Sequence, residues 1–502
     1  MNTIIKTSFL GFVLLLISAC NNQETTTQVE TTNTENVATN TNAATEVNSA
    51  TAEESDSRPN IVFILVDDMG FNDVGFNDSE IATPTLDRIA NAGVKLDRNY
   101  VYPICSPTRA ALLTGQNPLR HGVDAPMSDA KSLPLDIKLM PEYFKDLGYQ
   151  TYMVGKWHLG LNNTDQWPDA RGFDYHYGFL SGWIDFYTHV YADALDWQRN
   201  GETIREEGHT TDLMTDDAIR LINDQAADSP FFLYLSYNAP HSPLQHPPVE
   251  TGLVNEEGAN DRSVYTEMVT HLDQGITKVI DALESKGMLD NTIVVFSSDN
   301  GGSTRLGASN VPFKGQKGST LEGGVRVPGL VWAPGLIAGG QVLEQPVVMT
   351  DWLPTLIEAA GGDTSVIDSP DGQSMWSAIA NGESIDHAPF VLGANRNRAV
   401  FDWPWKLVQI NGEPGSAENL QLFNIVADPT EQNDLASQEQ EKVDQLVAVL
   451  QSIPVVESKR PADRNGSVNT WYKRLDNGLF DYNLSIEESR ESWGDSAVRG
   501  TQ

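Results

Sequence analysis

Unbroken apolar runs and helically spaced apolar residues alternate along the first three quarters of the chain. Residues 61–66, 151–154, 231–236 and 292–296 are β-rich runs that end on polar residues or on glycine. Runs of this kind suit strands buried on both faces, as in a parallel sheet. Thr83-Pro84-Thr85 opens a helix that reaches Ala92, with Gly93 as its stop. Met268, Leu272, Ile276, Val279 and Leu283 predict a helix over 262–286, closed by Gly287. The alternation predicts an α/β sandwich with a large mixed, mostly parallel sheet. In such sheets polar residues just past the strand C-termini are where ligands bind.

The rhythm changes near residue 385. Residues 390–392, 398–401, 405–408 and 421–423 read as short antiparallel strands, and 438–453 as a helix. The expected division is a catalytic domain over 58–384 and a smaller α+β subdomain with an antiparallel sheet over 385–502.

Residues 1–19 carry one lysine and the apolar run 9–17, too short for a comfortable membrane span. That is the shape of a secretory signal. It ends Ile17-Ser18-Ala19-Cys20, which resembles a bacterial lipobox, so Cys20 is the expected lipidation site. Residues 20–57 are rich in Thr, Asn and Glu, without Lys, Arg or aromatics, and read as a solvated tether. The expectation is an exported bacterial lipoprotein, anchored to a membrane on the periplasmic face or at the cell surface.

Composition narrows the function. The 502 residues hold 33 Lys+Arg against 69 Asp+Glu, a net charge of −36. That acidity argues against a nucleic-acid partner. With two cysteines, Cys20 and Cys105, the chain has neither a disulfide scaffold nor a Cys-rich metal site. An acidic enzyme that handles polyanions needs a local positive pocket.

Three constellations carry chemistry. Asp67-Asp68 and Asp299-Asn300 each follow a predicted strand. Two oxygen pairs suit a hard cation, Ca²⁺ or Mg²⁺, rather than zinc; the bland reading is helix-capping or loop carboxylates. Next, Cys105-Ser106-Pro107-Thr108-Arg109 opens a helix, with Cys105 or Ser106 at its cap and Pro107 in its first turn. Such a terminus attracts a tetrahedral anion, and Arg109 can return toward it. Cys105 is open to two other readings, a buried thiol and a thiolate nucleophile. Last come Lys156 and His158 in Gly155-Lys156-Trp157-His158-Leu159-Gly160, His241 in Asn238-Ala239-Pro240-His241, and Lys317 in Gly315-Gln316-Lys317-Gly318. Together they could line an anion pocket and supply acids and bases; singly each reads as an ordinary surface or structural residue.

Cys105-x-Pro-x-Arg109 followed by Leu112-Leu113-Thr114-Gly115 resembles the signature of the formylglycine-dependent (type I) sulfatases. Asp67-Asp68-Met69-Gly70, Gly155-Lys156-Trp157-His158-Leu159-Gly160, Ser298-Asp299-Asn300-Gly301-Gly302 and Glu322-Gly323-Gly324-Val325-Arg326 agree, in order. Arg171-Gly172-Phe173-Asp174 and Asp351-Trp352-Leu353-Pro354 look most like the arylsulfatase B (N-acetylgalactosamine-4-sulfatase) type, as found among bacterial polysaccharide sulfatases. The resemblance implies an alkaline-phosphatase-like fold. It implies oxidation of Cys105 to formylglycine by a maturation enzyme, and Ca²⁺ on Asp67, Asp68, Asp299, Asn300 and the modified Cys105. Arg109 and Lys156 would steady the hydrated aldehyde. Lys156, His241 and Lys317 would bind sulfate, with His241 or Lys317 protonating the leaving oxygen and His158 driving sulfate release. Lys314 competes with Lys317 for its role. The implied substrate is a sulfated polysaccharide or oligosaccharide, carrageenan-like or chondroitin-like, with a 4-O-sulfate on galactose or N-acetylgalactosamine. Trp183, Asp185, Tyr187, His189 and Trp197 are candidates for sugar contacts or for core packing, and Trp471 and Tyr472 are weaker candidates. The rival readings are a phosphomonoesterase or phosphodiesterase of the same superfamily and a glycan-binding lipoprotein without activity.

Overall fold

The computed structural model describes residues 58–456, apart from 128–130, 162, 192–193, 227–228, 249–260, 414–415 and 455. The leader, Cys20, the tether, Trp471 and Tyr472 lie outside the described residues. Among the described residues no helix is long and apolar enough to cross a membrane.

An eleven-stranded mixed sheet organises the molecule. Its centre is five parallel strands in the order Thr292–Ser298, Asn60–Val66, Phe231–Ser236, Gln150–Lys156, Tyr175–Phe179. The apolar runs form these strands because both faces are covered. Ile61, Phe63 and Leu65 enter one core with the helices Cys105–Thr114 and Trp352–Ala359. Val62, Ile64 and Val66 enter the other with Pro84–Ala92, Thr210–Asp224 and Asp261–Ser285. Antiparallel pairings flank this centre, with Gly329–Trp332 and then Val94–Tyr100 on one side and Gln198–Arg199 and then Glu202–Thr203 on the other.

The second sheet is antiparallel: Phe390–Ala394, Asn397–Asp402, Trp405–Gln409 and Leu420–Asn424. Val391, Val400, Leu407 and Leu422 face the helix Gln440–Ser452 through Val443, Leu446 and Leu450. Leu392, Ala399, Phe401 and Phe423 join the core of the large sheet instead. The change of rhythm near 385 therefore marks a new sheet that shares its core with the first.

Several elements escaped the sequence reading. Val94–Tyr100 (VKLDRNY) and Gln341–Val348 (QVLEQPVV) mix charge with apolar residues, yet they pair in parallel across a register shift. The helix Thr210–Asp224 opens on His209, whose ring accepts from the Thr211 N–H.

Candidate active site

Parallel register brings the polar strand ends to one level. Val66 pairs with Ser298, and Leu65 with Ser236, so Asp67-Asp68 and Asp299-Asn300 emerge side by side. Lys156 closes the next strand but one. Gly155 is required there: its φ is +113°, and a Cβ would stand 1.9 Å from the Ser236 carbonyl oxygen.

The charges interlock. Lys156 Nζ donates to Asp67 Oδ2 at 2.5 Å, both side chains fully buried. Arg109 donates from Nε and Nη2 to Asp299 Oδ2 at 3.1 and 2.7 Å, and from Nη1 to the Lys156 carbonyl and the Ser236 hydroxyl. Lys317 Nζ lies 2.6 and 2.8 Å from the two Asp68 oxygens, and His241 Nε2 3.7 Å from Asp68 Oδ2. Burial raises the pKa of Asp68, but Lys317 and His241 outweigh it and hold that carboxyl below its ordinary value. Burial and neighbouring Asp67 push Asp299 up to about 6. Only the mouth is open: Lys317 is 24% and His241 13% exposed in their side chains.

Cys105 lies in this cluster, its Sγ 3.6 Å from Asp67 Oδ1. It is the first residue of the helix Cys105–Thr114, and the cap is Ile104 rather than Cys105 or Ser106 and contributes no side-chain hydrogen bond. Cys105 therefore sits at the positive end of the helix. Burial and Asp299 push the thiol up to about 12. This site favours a protonated thiol, against the thiolate reading. His158 lies close by, with its carbonyl accepting from Ser106 Oγ. Its backbone is left-handed at φ 60°, its Nδ1 is buried without a hydrogen-bond partner among the described residues, and a Cβ on Gly182 would strike its Nε2 at 2.7 Å. Burial, then Lys156 and Arg109, push its pKa well down, so the ring is neutral.

The residues fit a hard cation. Oxygens of Asp67 and Asp68, Cys105 Sγ and a His241 nitrogen all lie within 4.8 Å of one another. Asn300 donates from Nδ2 to Asp68 Oδ1 at 2.6 Å, while its Oδ1 is buried without a partner among the described residues. A buried amide oxygen without a partner, on a residue that contacts Asp68, suits an oxygen-seeking cation such as Ca²⁺.

The structure thus gathers Asp67, Asp68, Cys105, Arg109, Lys156, His158, His241, Asp299, Asn300 and Lys317. It separates Lys314 from Lys317, since Lys314 Nζ turns to the Glu431 carbonyl at 3.4 Å. Arg109 is held by Asp299 and backbone rather than presented to an incoming anion. His189 is 1% exposed, stacked on Trp197 at 4.7 Å and bonded through Nε2 to the Gly208 carbonyl. His189 therefore sits in the core, against the expectation of a sugar contact, and Trp197 takes its packing alternative. Asp185 ties down its own loop through the Tyr187 and Thr188 N–H groups and Gln245. Tyr187 donates to the His246 carbonyl, and Trp183, partly exposed, packs edge-on against Tyr191. The sequence reading overlooked Ser236 and Tyr234, which hold Arg109, and Tyr265, whose hydroxyl donates to the Asp68 carbonyl at 3.1 Å. Ser236 ends an apolar run, and that polar break was the available signal.

A buried cysteine at a helix terminus, ringed by cations and strand-end carboxylates, suits a tetrahedral oxyanion. The sulfatase family matches residues 59–362, and the chain belongs to that family, the sulfuric ester hydrolases. It is similar to mouse arylsulfatase J, 36% identical over 76% of this chain and 73% of that protein. It is 34% identical to mouse N-acetylgalactosamine-6-sulfatase, over 68% and 70% of the two chains. Among solved structures it resembles Ps i-CgsB in complex with k-i-k-neocarrahexaose, with a TM-score of 0.75 and 31% identity over 84% of this chain and 99% of the other.

Proposed function

We propose that the protein removes sulfate esters from a sulfated glycan of the carrageenan or chondroitin class, at a 4-O position on a galacto-configured sugar. Its nucleophile is Cys105 converted to formylglycine, and its metal is Ca²⁺ held by Asp67, Asp68, Asp299 and Asn300. The observation that carries this reading is the buried Cys105, 3.6 Å from Asp67 and enclosed by Lys156, Lys317 and His241. The neocarrahexaose bound to Ps i-CgsB and the N-acetylgalactosamine substrate class of the mouse relative support a galacto-configured sugar.

Bound calcium would supply Lewis-acid polarisation of a sulfate oxygen and lower the pKa of the attacking hydroxyl. Lys317 and His241 stand at the mouth, where they bind the entering sulfate and face its bridging oxygen. One of them gives that oxygen a proton as the sugar leaves. Lys156 lies deeper and neutralises charge beside Cys105. Arg109 anchors Asp299, which faces the nucleophile as a proton acceptor. His158, neutral and without a partner for Nδ1, takes the proton whose loss releases sulfate and restores the aldehyde. The lipobox-like end at Cys20 supports export and membrane anchoring, within reach of polysaccharide, and a formylglycine-generating enzyme is the required partner.

The test is free sulfate released from 4-O- and 6-O-sulfated galactose and N-acetylgalactosamine oligosaccharides, using protein co-produced with a maturation enzyme. The expected result is release from 4-O esters alone. Release confined to 6-O esters discards the position, and turnover of phosphate esters in place of sulfate esters discards the reading.

A further inference from the structure

The turn that carries two of the candidate metal ligands is braced from behind by the helix Asp261–Ser285. Consecutive side chains of a strand point to opposite faces. Asp67 and Asp68 nevertheless both bring an oxygen into one cluster with Cys105 and His241, all within 4.8 Å. The chain achieves this by leaving the extended conformation at Asp68, whose φ is +66°. That conformation is costly for a residue other than glycine, and it persists where neighbours fix it.

Hydrogen bonds fix it from two sides. The Asp68 N–H donates to Asp299 Oδ1 at 3.3 Å and the Met69 N–H to the Ser298 hydroxyl at 3.0 Å, both at the neighbouring strand end. On the other side the Tyr265 hydroxyl lies 3.1 Å from the Asp68 carbonyl oxygen and 2.8 Å from Asp73 Oδ2, so its one proton is shared between two acceptors. Asp73 is itself held. Its carboxylate accepts from the Gly70 N–H at 2.9 Å, from the Ser309 N–H at 3.0 and 3.1 Å, and from Arg262 Nη1 at 2.6 Å. Tyr265 is 1% exposed and Asp73 0%. The hydrogen bond from Tyr265 reaches Asp68 through its backbone and leaves the carboxylate free for other partners.

We infer that Tyr265 is a positioning residue for the calcium site: with Asp73 and Arg262 it holds Asp68 in the left-handed turn that brings its carboxylate alongside that of Asp67. The inference rests on the calcium reading proposed above and adds to it a residue that acts on the ion only through Asp68. Outer partners of this kind orient the ligands, and losing one weakens metal binding about 10–100-fold.

The experiment measures the Ca²⁺ dissociation constant of the chelator-treated full chain by calorimetric titration, in wild type, Tyr265→Phe, Arg262→Lys and Tyr149→Phe. Tyr149 is the matched control: it is 3% exposed, and its hydroxyl donates at 2.8 Å to the carbonyl of Pro59, just before the far end of the strand Asn60–Val66. Tyr265→Phe keeps the ring and every charge, and it should weaken Ca²⁺ binding by about 10–100-fold. Arg262→Lys keeps the charge but loses the fork, so it should weaken binding less. Its side chain is 28% exposed, and it decides the matter if Tyr265→Phe fails to fold. Tyr149→Phe should lower the calcium-free Tm without changing the Ca²⁺ affinity. Unchanged affinity in the folded Tyr265→Phe, or an equal loss in Tyr149→Phe, overturns the inference. No Ca²⁺ binding by the wild type discards the calcium reading and this inference with it.

Discussion

Lys156 and Lys406 are both lysines with no exposed side-chain surface. Lys156 lies 2.5 Å from Asp67, and Lys406 2.8 Å from each of Glu322 and Glu431. Lys406 sits in the seam between the small sheet and the large one, and the groups around it turn to one another. Tyr100 donates to Glu322 Oε2 at 2.9 Å, and the Glu322 N–H donates to Glu431 Oε2 at 2.7 Å. Around Lys156, by contrast, Asn300 Oδ1 and His158 Nδ1 are left over, Asp68 and His158 adopt positive φ, and Lys317 and His241 reach the surface. The seam has such features too, since Glu431 has a φ of 56° and its Oε1, 2.8 Å from Lys406, makes no hydrogen bond among the described residues, but Lys406, Glu322 and Glu431 are all buried. Buried charge that awaits a ligand is open to it through partly exposed cations at its mouth, because the ligand completes the network.

Four changes test this contrast, in falling order of effect. Cys105→Ala should lower sulfate-ester turnover by more than about 10⁴-fold while leaving the unfolding midpoint near that of the wild type. Retained turnover would sink the formylglycine chemistry. Lys406→Met should do the reverse. It strands two buried carboxylates and should cost about 3–5 kcal/mol in denaturant unfolding, with turnover per folded molecule unchanged. A neutral effect on stability would place the seam in the same class as the active site. Lys317→Ala should reduce turnover by about 10²–10³-fold, equivalent to about 3–4 kcal/mol, with little loss of stability; Lys314→Ala should not match it.

The smallest effect is a pH dependence at the seam. His387 Nε2 lies 2.9 Å from Asp351 Oδ2, and its Nδ1 2.7 Å from the Ala388 carbonyl oxygen. Burial pulls this imidazole down, but the hydrogen bond to Asp351 outweighs it and raises the pKa above 6.5. A raised folded pKa gives stability that is complete below the unfolded value and is lost as pH rises through the folded one. Wild type should exceed His387→Gln by on the order of 1 kcal/mol below about pH 6, shrinking toward alkaline pH. A pH-independent difference between the two unfolding curves would show that the pair does not titrate as described.

The sequence alone was enough for four of the five central strands, since a strand covered on both faces is apolar throughout and leaves a clear run; Tyr175–Phe179 (YHYGF) was not read from it. It was also enough for the polar groups at their ends, because a chain that breaks from Val66 to Asp67-Asp68, or from Ser298 to Asp299-Asn300, has few reasons to do so. The mixed strand Val94–Tyr100 hid its pairing, because neighbours distant in the chain decide which of its side chains are buried. Tertiary structure alone chose Lys317 over Lys314, turning one to Asp68 and the other to Glu431 from the same loop. It alone sent His189 and Trp197 into the core, and it alone set His209 and His271 side by side. An imidazole reads the same in a sequence whether it packs, binds or ligates. What it does depends on atoms that other segments bring within a few ångströms, and a one-dimensional pattern does not carry those distances.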